Sequence, residues 1–178
     1  MAVSLSSLGG SPYGGTVTQI GYTQANTGII TYTFSNLSAY KYLSLTWVAV
    51  TGVTDGQPWY MRFNSDTSSK YVYWGYQNRN DTATNAIDLA ISSSIPLNTM
   101  RNDYTQGHGR LVIENSNSAQ HKNFNITQTY NNTATDIFVY KDGIYIDTAA
   151  ISSITLYRTS GNFSNAQTGA GFYLWGAV

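Results

Sequence analysis

From Gly28 onward the chain alternates apolar and polar residues in short runs separated by Gly, Asn, Ser and Pro. Ile30, Tyr32 and Phe34 alternate with Thr, and Leu43, Leu45, Trp47 and Ala49 with Ser, Thr and Val. Trp59, Met61 and Phe63 form a third run, closed by Asn64-Ser65-Asp66, and Tyr71 to Tyr76 a fourth. Ile87, Leu89 and Ile91 make a fifth, stopped before Pro96. Leu111/Ile113, Phe124/Ile126/Gln128/Tyr130 and Ile137/Val139 follow, the last leading through Lys141-Asp142-Gly143, a hairpin signal, to Tyr145. Alternation places successive side chains on opposite faces of a strand, and no segment sustains the roughly 3.6-residue period of a helix. Near the end, Ile154 and Leu156, then Phe172 and Leu174, read as two strands joined by a Gly/Asn/Ser loop. The chain is therefore expected to close its sheet with its last residues and to leave no C-terminal tail. Roughly eight to ten short strands with such turns predict an all-β fold, a single β-sandwich of jelly-roll type spanning residues 28–178.

Residues 1–27 differ. They are rich in Gly, Ser and Thr and carry no charged side chain. Such a segment is either a flexible leader or an extended arm that orders on a partner. The arm reading is preferred because Val17, Ile20 and Tyr22 would anchor it, and fully extended it would reach roughly 80–90 Å.

Composition sharpens the class. Charged residues are 10% of the 178 and aromatics 14%, with 15 Tyr. Lys and Glu favour helices whereas Tyr, Thr and Val favour strands, so this bias is itself a β signal. A chain of this length is one domain that buries roughly 70% of its unfolded surface, enough for a core without staples. The net charge of +0 argues against a nucleic-acid partner or an anionic membrane surface. It suits a subunit of an assembly better than a free monomer. With 0 Cys there is neither a disulfide framework nor a thiolate site. The N-terminus lacks the basic and apolar regions of a signal peptide, and no apolar run approaches the roughly 18 residues of a membrane span. Synthesis and folding in a cytoplasm are expected.

Chemistry-bearing motifs are sparse. His108 and His121 lack metal-ligand spacing and sit in no nucleophile motif, and there is neither a Gly-x-Ser-x-Gly elbow nor a phosphate loop. Glycoside hydrolysis needs two carboxylates facing each other across a cleft. Most Asp residues lie at predicted turns, where they cap the backbone; only Asp88 and Glu114 fall in strand-like runs. Loop Asp and Asn at Arg79-Asn80-Asp81-Thr82 match no calcium-loop template. The reading is of a protein that is not an enzyme and takes no cofactor or metal. The ligand-binding signal lies in the aromatics. In Trp59-Tyr60 and in Tyr73, Trp74 and Tyr76, neighbouring rings point to opposite faces, so some lie away from the core. They would serve either a subunit interface or a platform for sugar faces.

Taken in order, Phe34, Leu37, Tyr40, Lys41 and Leu43; Arg62, Phe63, Asn64 and Asp66; and Ala150, Ile151, Ile154, Leu156, Gly161, Asn162, Phe163, Leu174 and Gly176 resemble the pattern of small jelly-roll virion proteins of tailed bacteriophages. Trp175 stands where that pattern has Tyr. The resemblance covers residues 28–178. It implies a capsid cement or decoration protein located on the virion surface, bound to the major capsid protein and assembled as a homotrimer. The alternative it implies is a tail-fibre or receptor-binding module recognising host glycans.

Overall fold

The computed structural model describes residues 15–52, 57–79, 82–100, 106–131, 136–165 and 169–178. Among them there are strands and turns but no helix. In chain order the strands are β1 (Thr18–Gln24), β2 (Thr31–Phe34), β3 (Tyr42–Val48), β4 (Val50–Gly52), β5 (Gln57–Phe63), β6 (Tyr71–Arg79) and β7 (Thr82–Ser92). They continue with β8 (Ile95–Met100), β9 (Gln106–Glu114), β10 (Lys122–Asn131), β11 (Asp136–Tyr145), β12 (Ile154–Arg158), β13 (Phe163–Asn165) and β14 (Gly171–Ala177). They form an eight-stranded sheet ordered β1-β14-β3-β9-β10-β11-β6-β7, a four-stranded sheet ordered β2-β12-β5-β8, and the pair β13-β4. The recorded strand pairs are antiparallel.

One core joins the two larger sheets in a sandwich-like arrangement. Leu43, Leu45 and Trp47 of β3 and Phe172 and Leu174 of β14 meet Trp59, Met61 and Phe63 of β5 and Ile154 and Leu156 of β12. Trp59 stands edge-on to Trp47 at 5.2 Å and to Phe163 at 5.9 Å. Its indole Nε1 donates to Tyr130 Oη at 3.3 Å. Trp47 fits because its neighbour across the strand is Gly109: a Cβ there would lie 2.1 Å from the Trp47 ring. Further along, Tyr71 stacks on Tyr145 at 4.9 Å, and the Tyr71 hydroxyl donates to Phe63 O and accepts from Phe63 N.

Several sequence expectations change. Thr18–Gln24, inside the segment read as an arm, is β1 and pairs with β14 at the edge of the large sheet. A register shift between Gln19 and Gly21 leaves Ile20 packed on the core and turns Tyr22 outward. The run ending at Ala49 breaks there, because Ala49 takes a left-handed conformation (φ 52°) that sends β4 to pair with β13. Lys141-Asp142-Gly143 is no turn. β11 continues through it, with Gly143 giving room to the Phe124 ring, which a Cβ would approach to 2.2 Å. The two terminal strands β12 and β14 lie in different sheets and face each other across the core. In β7 the expected inward face of Ile87, Leu89 and Ile91 is divided. Tyr73 pairs with Ala90 and Gly75 with Ile87, so between these pairs β7 carries one extra residue and its facing flips. Ile87 and Ala90 pack on the core, while Leu89 and Ile91 are 68% and 67% exposed.

Polar clamps hold the loops. Asn64, also left-handed (φ 54°), accepts on Oδ1 from Ser152 N (2.7 Å) and Ser152 Oγ (3.0 Å) and donates from Nδ2 to Ala150 O (3.0 Å). Lys70 bridges Asp66 (3.2 Å) and Asp147 (2.7 Å), and Tyr145 donates to Asp66 at 2.9 Å. Burial alone would raise the Asp66 carboxyl, but hydrogen bonds from Ser68, Tyr145 and Lys70 outweigh it and hold the group well below the usual range. Asp147 is held down chiefly by Lys70. Lys122, fully buried, donates to the carbonyls of Ser118 (2.8 Å), Gln120 and Asp147 (3.2 Å). Lys141 points into the core, donates to Pro96 O on the edge strand β8, and lies 5.5 Å from the Tyr73 ring centre. Burial pushes its ammonium down to about 8.

Three outcomes follow from these clamps. Asn64→Ala removes acceptor and donor together and is expected to lower unfolding free energy by about 2–3 kcal/mol in chemical denaturation. Because Asp66 and Asp147 are held down, the stability they add is present above the ordinary value of 3.8 and is lost as pH falls below it. Asp66→Asn should be less stable than the parent at neutral pH and should show a shallower acid loss. Lys141 has the opposite sign: a depressed ammonium costs stability below about pH 8, and the cost lifts between there and its ordinary value of 10.5. Lys141→Met should abolish that rise, on the order of 3 kcal/mol, in a difference curve of stability against pH.

Candidate binding face

The outward side of the eight-stranded sheet carries the functional candidates, because strand alternation sends the core residues to its other side. Cross-strand pairing aligns these outward residues into rows. One row runs Tyr173, Thr46, Arg110, Thr127, Tyr140 and Tyr76 across β14, β3, β9, β10, β11 and β6. The next runs Trp175, Ser44, Val112, Asn125, Asp142 and Trp74 across the same strands. Aromatic rings thus sit at both ends of a polar centre.

The face is internally braced. Tyr76 stacks on Tyr140 at 5.5 Å and 23° and lies 6.0 Å from Phe138. The Tyr140 hydroxyl donates to Asp142 Oδ2 at 2.5 Å, and Asn125 Nδ2 donates to Asp142 Oδ1 at 2.8 Å. The bond to Asp142 raises the Tyr140 hydroxyl above its ordinary value. Arg110 donates from Nε to Ser44 Oγ at 2.9 Å and from Nη2 to Tyr42 Oη at 2.7 Å. At the other end Tyr22 lies 4.7 Å from Tyr173, whose hydroxyl donates to Gly169 O at 2.8 Å. Burial raises the Tyr173 hydroxyl, with Tyr22 adding to it.

The aromatics singled out in the sequence separate into three environments. Trp59 (0% exposed) and Tyr73 face the core and cannot form an external platform. Tyr60 lies on the opposite outer surface, stacked on Tyr157 at 5.4 Å beside Arg62, whose guanidinium lies 4.5 Å from the Tyr157 ring centre. Only Trp74 and Tyr76, 43% and 41% exposed, reach the outward face of the large sheet. The structure adds Tyr140, Asn125, Asp142 and Arg110 beside them, and Tyr173, Trp175 and Tyr22 at the far end. Of the arm residues, Tyr22 belongs to this face, Ile20 to the core, and Val17 immediately precedes β1.

Past Trp74, towards one end of the strands, the face turns aliphatic. Ile91, Val72 and Ile144 are cross-strand neighbours, with Leu89 on the same edge strand and Ile146 exposed just beyond β11. Asp66 and Asp147 both contact Lys70, yet both are pushed down, whereas a carboxyl acting as general acid needs to be pushed up. Glu114 is exposed on β9 opposite Tyr42 and Asn123. Among the described residues no cluster of His, Asp and Glu could hold a metal ion, and Asn80-Asp81 lies outside them. No helix among them is long and apolar enough to cross a membrane.

No protein-family model matches the chain, and comparison with curated proteins and with solved structures returned no match.

Proposed function

We propose that this chain is a structural protein of a tailed-phage particle, a non-catalytic cement or decoration subunit. It is made in the host cytoplasm, attaches to the outer surface of the major capsid shell and assembles as a homotrimer. The observation that carries the reading is the uncharged aliphatic strip at the β7 edge, where Leu89 and Ile91 stand exposed beside the half-buried Val72 and Ile144 on a charge-poor protein. A strip of this kind, on an edge strand, is the surface a neighbouring subunit covers.

Strand order supports a jelly-roll kinship. Eight strands in chain order, β1, β2, β3, β5, β8, β9, β12 and β14, interleave as first-eighth-third-sixth in one sheet and second-seventh-fourth-fifth in the other. That interleaving is the mark of a jelly roll, here widened by the inserted pairs β6-β7 and β10-β11. The residues that carry the phage resemblance also have structural work: Asn64 and Asp66 are clamps, and Phe63, Ile154, Leu156, Phe163 and Leu174 are core.

A second reading, a receptor-binding module that recognises host glycans, is favoured by the polar-aromatic rows between Trp74 and Trp175. The two are separated by counting the chain against the major capsid protein in purified particles by quantitative mass spectrometry. Copies commensurate with the icosahedral shell are expected; a handful per particle would move the protein to the tail. Leu89→Ser with Ile91→Ser should keep the fold, because both side chains are exposed, and should convert the oligomer to monomer in light scattering. An unchanged oligomer would remove the strip from the interface.

A further inference from the structure

We infer that the outward face of the eight-stranded sheet is an extended saccharide-binding surface. On it a neutral polysaccharide crosses the strands from Trp74 to Trp175. The inference rests on the receptor-binding reading of the same face and adds the ligand's charge, its direction and its length.

The argument begins with shape and charge. The face is a sheet surface lined by flat rings and short polar side chains. The two rows carry one charge of each sign, each hydrogen-bonded to neutral groups: Arg110 to Ser44 and Tyr42, Asp142 to Asn125 and Tyr140. A charged polymer would find no net counter-charge in these rows, whereas hydroxyls find Asn, Thr and Tyr groups that both donate and accept. Pyranose rings present apolar C–H faces to aromatic rings and hydroxyl edges to such groups. Orientation by a few fixed polar groups between apolar contacts is how small-molecule surfaces gain specificity. The bracing of Tyr140 and Asn125 on Asp142 means these groups are held before a ligand arrives, which lowers the ordering cost of binding.

Direction follows from the rows. Between the terminal rings Trp74 and Trp175 the row carries Asp142 and Asn125, then Val112, which offers an apolar contact, and Ser44, buried beneath Arg110. The five inter-strand steps of about 4.8 Å put the terminal rings roughly 24 Å apart. That distance is spanned by several sugars and not by one or two, so the two aromatic ends act on one ligand only when it is long. A peptide strand, by contrast, would pair with a sheet edge through its backbone rather than lie across the face.

The test uses the whole chain and ladders of neutral gluco-, manno- and galacto-oligosaccharides from disaccharide to octasaccharide, with calorimetry and intrinsic Trp fluorescence. At least one ladder is expected to bind with affinity that climbs with length and levels off once both ends are reached. Trp74→Ala and Trp175→Ala should each cost about tenfold for the long members. Asn125→Ala should weaken binding without removing either ring, and Tyr60→Ala, on the opposite sheet, should change nothing. Circular dichroism guards against misfolding of Trp175→Ala, and the length dependence of the parent needs no variant. Affinity that levels off at the disaccharide, or long members indifferent to Trp175→Ala in a folded variant, would overturn the two-ended site and leave glycan recognition standing. Failure of every ladder to bind would overturn both.

Discussion

The edge-on contact of Trp59 with Trp47 and Phe163 is the constraint on which the remaining geometry depends. It joins the middle of the small sheet to the middle of the large one and to the β13-β4 pair, in rings that are wholly buried. Tilted and edge-to-face aromatic pairs add to what area burial alone supplies. The contact also fixes parity. With Trp47 inward, Thr46 must point outward, and pairing carries that choice through Arg110, Thr127 and Tyr140 to Tyr76 on the far side of the sheet. A face built over six strands therefore inherits its composition from one indole.

Where alternation was clean, the sequence was readable. β3, β9 and β10 bury the residues their patterns singled out, because Ser, Thr, Asn and Arg mark the other face. The run from Tyr71 to Tyr76 was not readable in this way: with Val72, Tyr73 and Trp74 all able to be core, only the pairing with β11 decides which turns outward. β7 misled because its extra residue changes facing in mid-strand. The Lys141-Asp142-Gly143 hairpin signal failed because Gly143 serves the Phe124 ring rather than a turn. β1 was hidden by its Gly, Thr and Gln residues, and its strand identity comes from β14, more than 140 residues later. The candidate face shares that limit, since its rows join six strands scattered from Ser44 to Trp175. No local window contains them.

Charge is used sparingly, and three of the cations are buried. Lys122 and Lys141 spend their ammonium groups on backbone carbonyls, and Arg158 packs over Gly52 and donates to Asn162 O. Paired carboxylates sit at the Asp66-Lys70-Asp147 clamp. Cations with carbonyl acceptors close loops and sheet edges that extra hydrogen-bonded strand would otherwise have to cover. The outward face is left to be defined by rings, amides and hydroxyls.

The position of β12 and β14 has a bearing on how the chain comes to be folded at all. β12 lies between β2 and β5, and β14 between β1 and β3, so neither sheet is continuous until residues 154–177 have been made. During synthesis the first strands must wait unpaired while most of the chain is produced. Contacts between such distant segments slow folding and leave strand edges open to strangers. An arrangement of this kind places a premium on keeping the waiting strands apart from other nascent copies. With Ile20 and Tyr22 as its apolar side chains among Thr, Gln and Gly, β1 offers little hydrophobic surface to other copies before β14 is made.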